Sequence, residues 1–226
     1  MSRDKSNSPV PGKITELKQQ VERRDRVSVF IDGEFSFGVW ANLVVENQLY
    51  VGKKLNEIEL SSLLDGEEVS QIRSVALQYL AYAPRTEQQL YERLHLKGYS
   101  KYKIEYIIED LRDLGYIDDR QYAMEYAKAR FDHKGYGPRR IHRELAADGV
   151  QNEYIVEAIS ACLNLNDLAE RGKQLIERFQ GRVQGTFSER KKKLIAYLTR
   201  RGYEYMMAKE LVQEVLSQSE HSESSK

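Results

Sequence analysis

Leu90-Tyr91-Glu92-Arg93-Leu94-His95-Leu96-Lys97-Gly98 has two further versions in the chain, Ile141-His142-Arg143-Glu144-Leu145-Ala146-Ala147-Asp148-Gly149 and Leu194-Ile195-Ala196-Tyr197-Leu198-Thr199-Arg200-Arg201-Gly202. In each, two apolar residues four apart are followed, four positions later, by a glycine. A polar residue precedes that glycine (Lys97, Asp148, Arg201) and an apolar one follows it (Tyr99, Val150, Tyr203). The register continues without insertion through Ile104, Ile155 or Ala208, then Ile107-Ile108, Ala158-Ile159 or Leu211-Val212, and finally Leu111, Cys162 or Val215. One such match means little, because leucines at period four are common; three matches in register define a repeat.

The pattern describes a helix with an inward apolar stripe, ending at a glycine of positive φ, then a turn and a second helix. A further helix is expected upstream of each copy, over residues 69–83, 122–131 and 168–179. Three helices at a spacing of about fifty residues predict tandem three-helix modules forming an elongated, curved array. Local signals agree with these limits. Thr86 with Gln89 and Asp118 with Gln121 have capping-box spacing, Gly137-Pro138 places proline at the first helical position, and Ser188 suits the N-cap of the third copy.

Upstream of the array the period is two. Val27, Val29 and Ile31, then Phe35, Phe37 and Val39, flank Asp32-Gly33, a dipeptide suited to a tight hairpin turn. A small antiparallel sheet is expected there, followed by short helices over 40–48 and 56–64, the second capped by Asn56, with a stop at Asp65-Gly66. The expected organisation is therefore a mainly α fold. It comprises a disordered tail over 1–12, a β-containing segment over 13–66, helical repeats over 67–116, 117–165 and 166–216, and a second disordered tail over 217–226.

Charge excludes one class of function: thirty-five basic residues balance thirty-five acidic ones among 226, so the chain is no histone-like coat that binds DNA by net charge. A single cysteine, Cys162, excludes an internal disulfide and reads as a core residue among Ile159, Ala161 and Leu163. Neither a metal nor a cofactor is expected. No apolar run is long enough to cross a bilayer and the N-terminus lacks a signal peptide's apolar stretch, so a cytoplasmic location is expected.

Chemistry-bearing motifs are scarce. No phosphate loop, nucleophile elbow or nucleophile with a partner is present, and the chain reads as a non-enzyme. The Asp118-Asp119 doublet reads as helix capping. Cations concentrate in two places. Arg130, Lys134, Tyr136, Arg139, Arg140 and Arg143 surround a glycine-rich turn at a helix start, where free amides and arginines suit an anionic backbone or an acidic protein. The same stretch also reads as a turn shaped by Gly135 and Gly137 beside a solvated face. Arg190, Lys193, Arg200 and Arg201 occupy the corresponding helix of the third repeat. Tyrosines crowd the first two repeats and read mainly as packing between helices.

Three stretches resemble the motifs of RecX regulatory proteins. They are Arg85-Thr86-Glu87-Gln88-Gln89-Leu90 leading to Lys97-Gly98, Leu114-Gly115-Tyr116-Ile117-Asp118-Asp119-Arg120-Gln121-Tyr122-Ala123, and Gly135-Tyr136-Gly137-Pro138-Arg139-Arg140-Ile141 leading to Gly149. The resemblance is specific over roughly residues 75–160 and thins to the repeat pattern beyond. It implies a regulator of recombination, DNA repair and the SOS response. Such a protein, a monomer, lodges in the groove of a RecA filament and inhibits its recombinase, ATPase and coprotease activities, with weak sequence-independent contact to single- or double-stranded DNA. A helix-turn-helix protein binding DNA alone, and a scaffold for an unrelated partner, are the alternatives.

Overall fold

The computed structural model describes residues 9–223. Strands β1 (Gly12–Gln19), β2 (Arg26–Ile31) and β3 (Glu34–Trp40) form an antiparallel meander. After α1 (Ala41–Glu46), the short β4 (Lys54–Leu55) returns to the far side of β1, giving the order β3-β2-β1-β4. Asp32 and Gly33, at φ +50° and +93°, make the expected hairpin turn. Alternation puts Val29, Ile31, Phe37 and Val39 on one buried face, which Ile14, Leu43 and Leu55 extend. Leu60 and Leu63 of α2 (Glu57–Tyr82) cover it.

The expected stop at Asp65-Gly66 does not occur, and the boundary placed after residue 66 falls inside α2. Glycine in a helix interior costs about 1 kcal/mol, which tertiary contacts readily offset. Here Glu67 accepts the Trp40 N–H at 2.9 Å and pairs with Arg26 at 2.7 Å, pinning α2 to the sheet just past the glycine. Burial pushes the Glu67 carboxyl above its usual range despite that arginine.

Eight helices follow among the described residues: α3 (Glu87–His95), α4 (Lys101–Asp113), α5 (Asp119–Lys134), α6 (Pro138–Ala147), α7 (Asn152–Cys162), α8 (Leu165–Gln180), α9 (Phe187–Arg200) and α10 (Tyr205–Glu223). The repeat is realised in detail. Leu90, Leu94, Ile141, Leu145, Leu194 and Leu198 are fully buried, and Gly98, Gly149 and Gly202 have φ of +86°, +83° and +94°. Helices α5 to α10 share one core, from Ala123 and Ile141 through Leu194 to Leu216. The protein is mainly helical, with a four-stranded sheet at its start. It divides into two compact units: the residues up to Ala81 with Leu94–Ile107, and Tyr82–Arg93 with the chain from Ile108 onward.

Two terminal details differ from expectation. The N-cap of α9 is Thr186, in a capping box with Glu189, and Ser188 lies inside the helix. This α9 cap lies sixteen residues before its glycine, whereas Thr86 and Gly137 lie twelve before theirs, so α9 carries one extra turn at its start. The C-terminal tail expected from residue 217 is helical to Glu223, with 224–226 outside the described residues. At the other end the expected tail falls mostly on residues 1–8, also outside them, and β1 already begins at Gly12.

Candidate partner-binding surface

Two joints of like design organise the second unit. At the first, the Thr86 hydroxyl donates to the Asp148 carbonyl at 2.6 Å and Gln89 donates to the Asp148 carboxylate at 3.0 Å. The end of α6 thereby meets the start of α3. Tyr122 also donates to Asp148, at 3.1 Å. Burial, then the neighbouring Asp148, pushes the Tyr122 phenol up to about 12. At the second joint the end of α9 meets the start of α6: Gly137 N–H donates to the Arg201 carbonyl at 2.8 Å and Arg139 N–H to the Gly202 carbonyl at 3.0 Å. The glycines permit this approach. A Cβ on Gly137 would lie 2.7 Å from the Gly202 backbone, and one on Gly202 would lie 2.4 Å from the Arg140 backbone nitrogen.

This second joint corrects the reading of the Gly135-Tyr136-Gly137 turn as an anion site built from free amides. The amides that would greet a phosphate donate instead to the carbonyls ending α9, so the positive end of one helix dipole meets the negative end of another. Whatever α6 offers an anion comes from its side chains.

Asp118 and Asp119 are caps, but of different helices. Asp118 accepts from Gln121 N–H in its own helix at 2.8 Å, while Asp119 reaches across to Glu87 N–H at the start of α3, at 2.9 Å. Burial raises the Asp119 carboxyl above its ordinary value. Among the described residues, no three His, Cys, Asp or Glu side chains are grouped to hold a metal ion.

The ten cationic and aromatic candidates separate by what they touch. Arg201 donates to the Lys134 carbonyl and lies over the Tyr197 ring at 4.9 Å, and Arg171 donates to the Asp132 carbonyl at 2.6 Å. Both thus cap the end of α5, a structural duty. Arg140 is fixed by Glu144 at 2.9 Å and lies 3.7 Å from the centre of the Tyr136 ring. Arg130 sits over Tyr126 at 4.5 Å, also near Glu144, and Arg190 is partly buried with no hydrogen-bond partner for its Nε. Lys193 donates to the Gln184 carbonyl at 2.9 Å. Arg139 pairs with Glu204 at 3.2 Å, both side chains well exposed. Lys134, Arg143 and Arg200 are exposed and their side chains carry no ion pair among the described residues.

The fold brings the two basic clusters together. Arg139, Arg140 and Arg143 of α6 line one hollow of about 460 Å³ with Thr199, Arg200 and Gly202 from the end of α9. Arg200 also lines two neighbouring hollows along α9, both of which include Lys192 and one of which reaches Arg182. Sequence reasoning missed Arg182 and Glu204, and sets Lys192 aside because four consecutive cations cannot share one helix face. Lys192 lies in the run Arg190 to Lys193, and its spacing of eight from Arg200 puts both on one helix face; Arg182 and Glu204 carry no such signal.

The aromatic expectation needs a partial correction. Tyr122, Tyr126 and Tyr136 pack against the core, but Tyr102, Tyr106 and Tyr116 are exposed by half or more. Tyr203 is wholly buried and its phenol is pushed up to about 12 by burial. Cys162 is half-buried, and burial raises its thiol. No described helix is long and apolar enough to cross a membrane.

Comparison with known proteins agrees along the chain. The model for the regulatory protein RecX N-terminal domain matches residues 12–56, and those for the first and second three-helix domains of RecX match 73–111 and 118–159. Together they span more than half of the chain. The regulatory protein RecX of Bacillus licheniformis is 29% identical over 202 residues, covering 89% of this chain and 76% of the relative. That of Clostridium botulinum is 28% identical over 208 residues, covering 91% and 97%. A crystal structure of regulatory protein RecX superposes with a TM-score of 0.77 at 25% identity, covering 89% of this chain and 98% of that one. RecX from Lactobacillus salivarius, at 24% identity and a TM-score of 0.62, shares the fold. By its sheet, its three-helix modules and these matches, the chain belongs to the RecX family of regulatory proteins.

Proposed function

We propose that this chain is a non-enzymatic, cytoplasmic regulator of recombination and DNA repair that binds the RecA filament in its groove as a monomer and inhibits its recombinase, ATPase and coprotease activities. The observation that carries this reading, beside the family, is the joined basic surface of α6 and α9. Arg143, Arg200, Lys192 and Arg182 line adjacent hollows with no counter-ion among the described residues. A filament on DNA presents both acidic protein surface and phosphate to such a face. Of the ten candidates, Arg139, Arg143, Lys193 and Arg200 are assigned to the partner, with Lys134 at the margin. Arg130, Tyr136, Arg140, Arg190 and Arg201 hold the surface in shape.

The test is RecA ATPase on single-stranded DNA with added protein. A fall in hydrolysis and strand exchange is expected, and unchanged rates at excess overturn the reading. The helix-turn-helix alternative is disfavoured because a recognition helix enters the groove by its N-terminal end, and the backbone at the start of α6 lies against the end of α9.

A further inference from the structure

The hollow between α6 and α9 holds an unequal set of arginines. Arg140 is fixed by Glu144 and Tyr136 and contributes field rather than reach. Arg143 and Arg200 have no counter-ion among the described residues. Arg139 has one, Glu204, and the geometry of that carboxylate is specific. Its Oε2 accepts the N–H of Met206 at 2.7 Å and of Met207 at 3.3 Å in the first turn of α10, while Oε1 faces Arg139 at 3.2 Å. Glu204 is therefore held by a helix start, whereas Arg139 is a long side chain free to leave it. The ion pair is exposed, and exposed pairs contribute little.

Arginines approach this hollow from two helices. A carboxylate offers two oxygens in one plane and suits a single guanidinium; a tetrahedral phosphate offers oxygens in several directions and satisfies guanidinia arriving from different sides. The cations continue along α9 through Lys192, which fits a chain of repeated charges better than an isolated acid.

We propose that this hollow seats one backbone phosphodiester of a nucleic-acid strand, and that Glu204 is its built-in counter-ion, holding Arg139 until the phosphate displaces it. The proposal rests on the filament reading only for the source of the strand. Because Glu204 competes for the same guanidinium, it weakens binding to any strand that engages the hollow loosely, and a strand held there by a larger assembly overcomes it.

The experiment is fluorescence anisotropy of a labelled oligothymidylate with the full chain, without recombinase, over a range of salt. Glu204→Gln keeps an acceptor for α10 while removing the charge, and is expected to tighten binding about fivefold, the factor corresponding to loss of an exposed ion pair. Arg143→Ala and Arg200→Ala each weaken binding and reduce the salt slope by about one. In an Arg139→Ala background the gain from Glu204→Gln disappears, which a simple change in net charge would not produce. Unchanged affinity for Glu204→Gln, a gain that persists without Arg139, or polyglutamate competing as well as unlabelled oligothymidylate overturns the proposal. An inactive chain in the RecA ATPase assay, with this cycle intact, overturns the filament reading alone.

Discussion

The two joints of the second unit share a geometry and differ in chemistry. In both, a helix that ends in a left-handed glycine meets the start of the corresponding helix one module earlier. At the first joint the bonds come from Thr86 and Gln89 side chains, and Asp148 is the acceptor. At the second they come from the Gly137 and Arg139 amides, which frees the side chains of α6 to point outward as Arg139 and Arg143. The difference teaches that one packing solution serves as plain structure at one position and as a platform for cations at the next. On the proposed reading, function lies in residue type at the joint, not in the fold that repeats it.

The largest effect expected from breaking this comparison is at Gly202. Alanine there suffers its φ of +94° and a contact with the Arg140 backbone, which cannot move aside. A loss of about 3 kcal/mol or more is expected in chemical denaturation. Gly149→Ala has the same backbone problem, and its new Cβ would lie 2.3 Å from the Gln88 Cβ, which is fixed to the start of α3, so a loss of about 3 kcal/mol is expected there too. A loss below about 1 kcal/mol at either glycine would mean that its joint opens to admit a side chain. Thr86→Ala removes an N-cap and a buried bond to Asp148 and should cost about 1–2 kcal/mol, read by thermal unfolding.

Substitution on the exposed side of the second joint should do the opposite. Arg143→Ala with Arg200→Ala is expected to leave stability within about 0.5 kcal/mol while abolishing most of the effect on RecA ATPase. Loss of stability without loss of inhibition would reverse the assignment of these residues.

The smallest effect concerns pH. Burial raises the Asp119 carboxyl, so the folded protein holds that proton more readily than the unfolded chain does, and the contribution favouring the fold is present at low pH and lost as pH rises through the raised value. Asp119→Asn keeps an acceptor for Glu87 N–H and removes the charge. Relative to the parent, its melting temperature should therefore improve as pH rises from the carboxylate range to neutrality. A gain in the other direction would show that the charge, not the oxygen, caps α3.

Much of this was legible before the structure, and the reasons are physical. Positive-φ glycines, capping pairs and period-four leucines act within one helix or turn, so Gly98, Gly149 and Gly202 announced themselves. The continuity of α2 did not, because Gly66 is overruled by Glu67 meeting Arg26 and Trp40, contacts distant in sequence. Thr186-x-x-Glu189 carries a capping signal equal to that of Thr86-x-x-Gln89, and it, rather than Ser188, starts the helix. At the candidate surface, the cation clusters were visible as composition, but nothing local distinguishes Arg201, spent on the end of α5, from Arg200 beside it. Glu204 follows a glycine and a buried tyrosine like any turn residue, and its role emerges only when α6 lies against α9.

The extra turn at the start of α9 bears on how such a chain can grow. At Thr86 and Gly137 the helix begins where a following glycine can lodge; in α9 the equivalent position is Arg190, whose N–H already donates to the Thr186 carbonyl. A duplicated module added after α10 would not meet, at that position of α9, the seat that Thr86 and Gly137 provide. One spliced in between α7 and α8 would find two, because the helices that receive and supply the glycine are both intact there. Duplication of a module would thus reproduce the existing joint within the row and need a different one beyond α9.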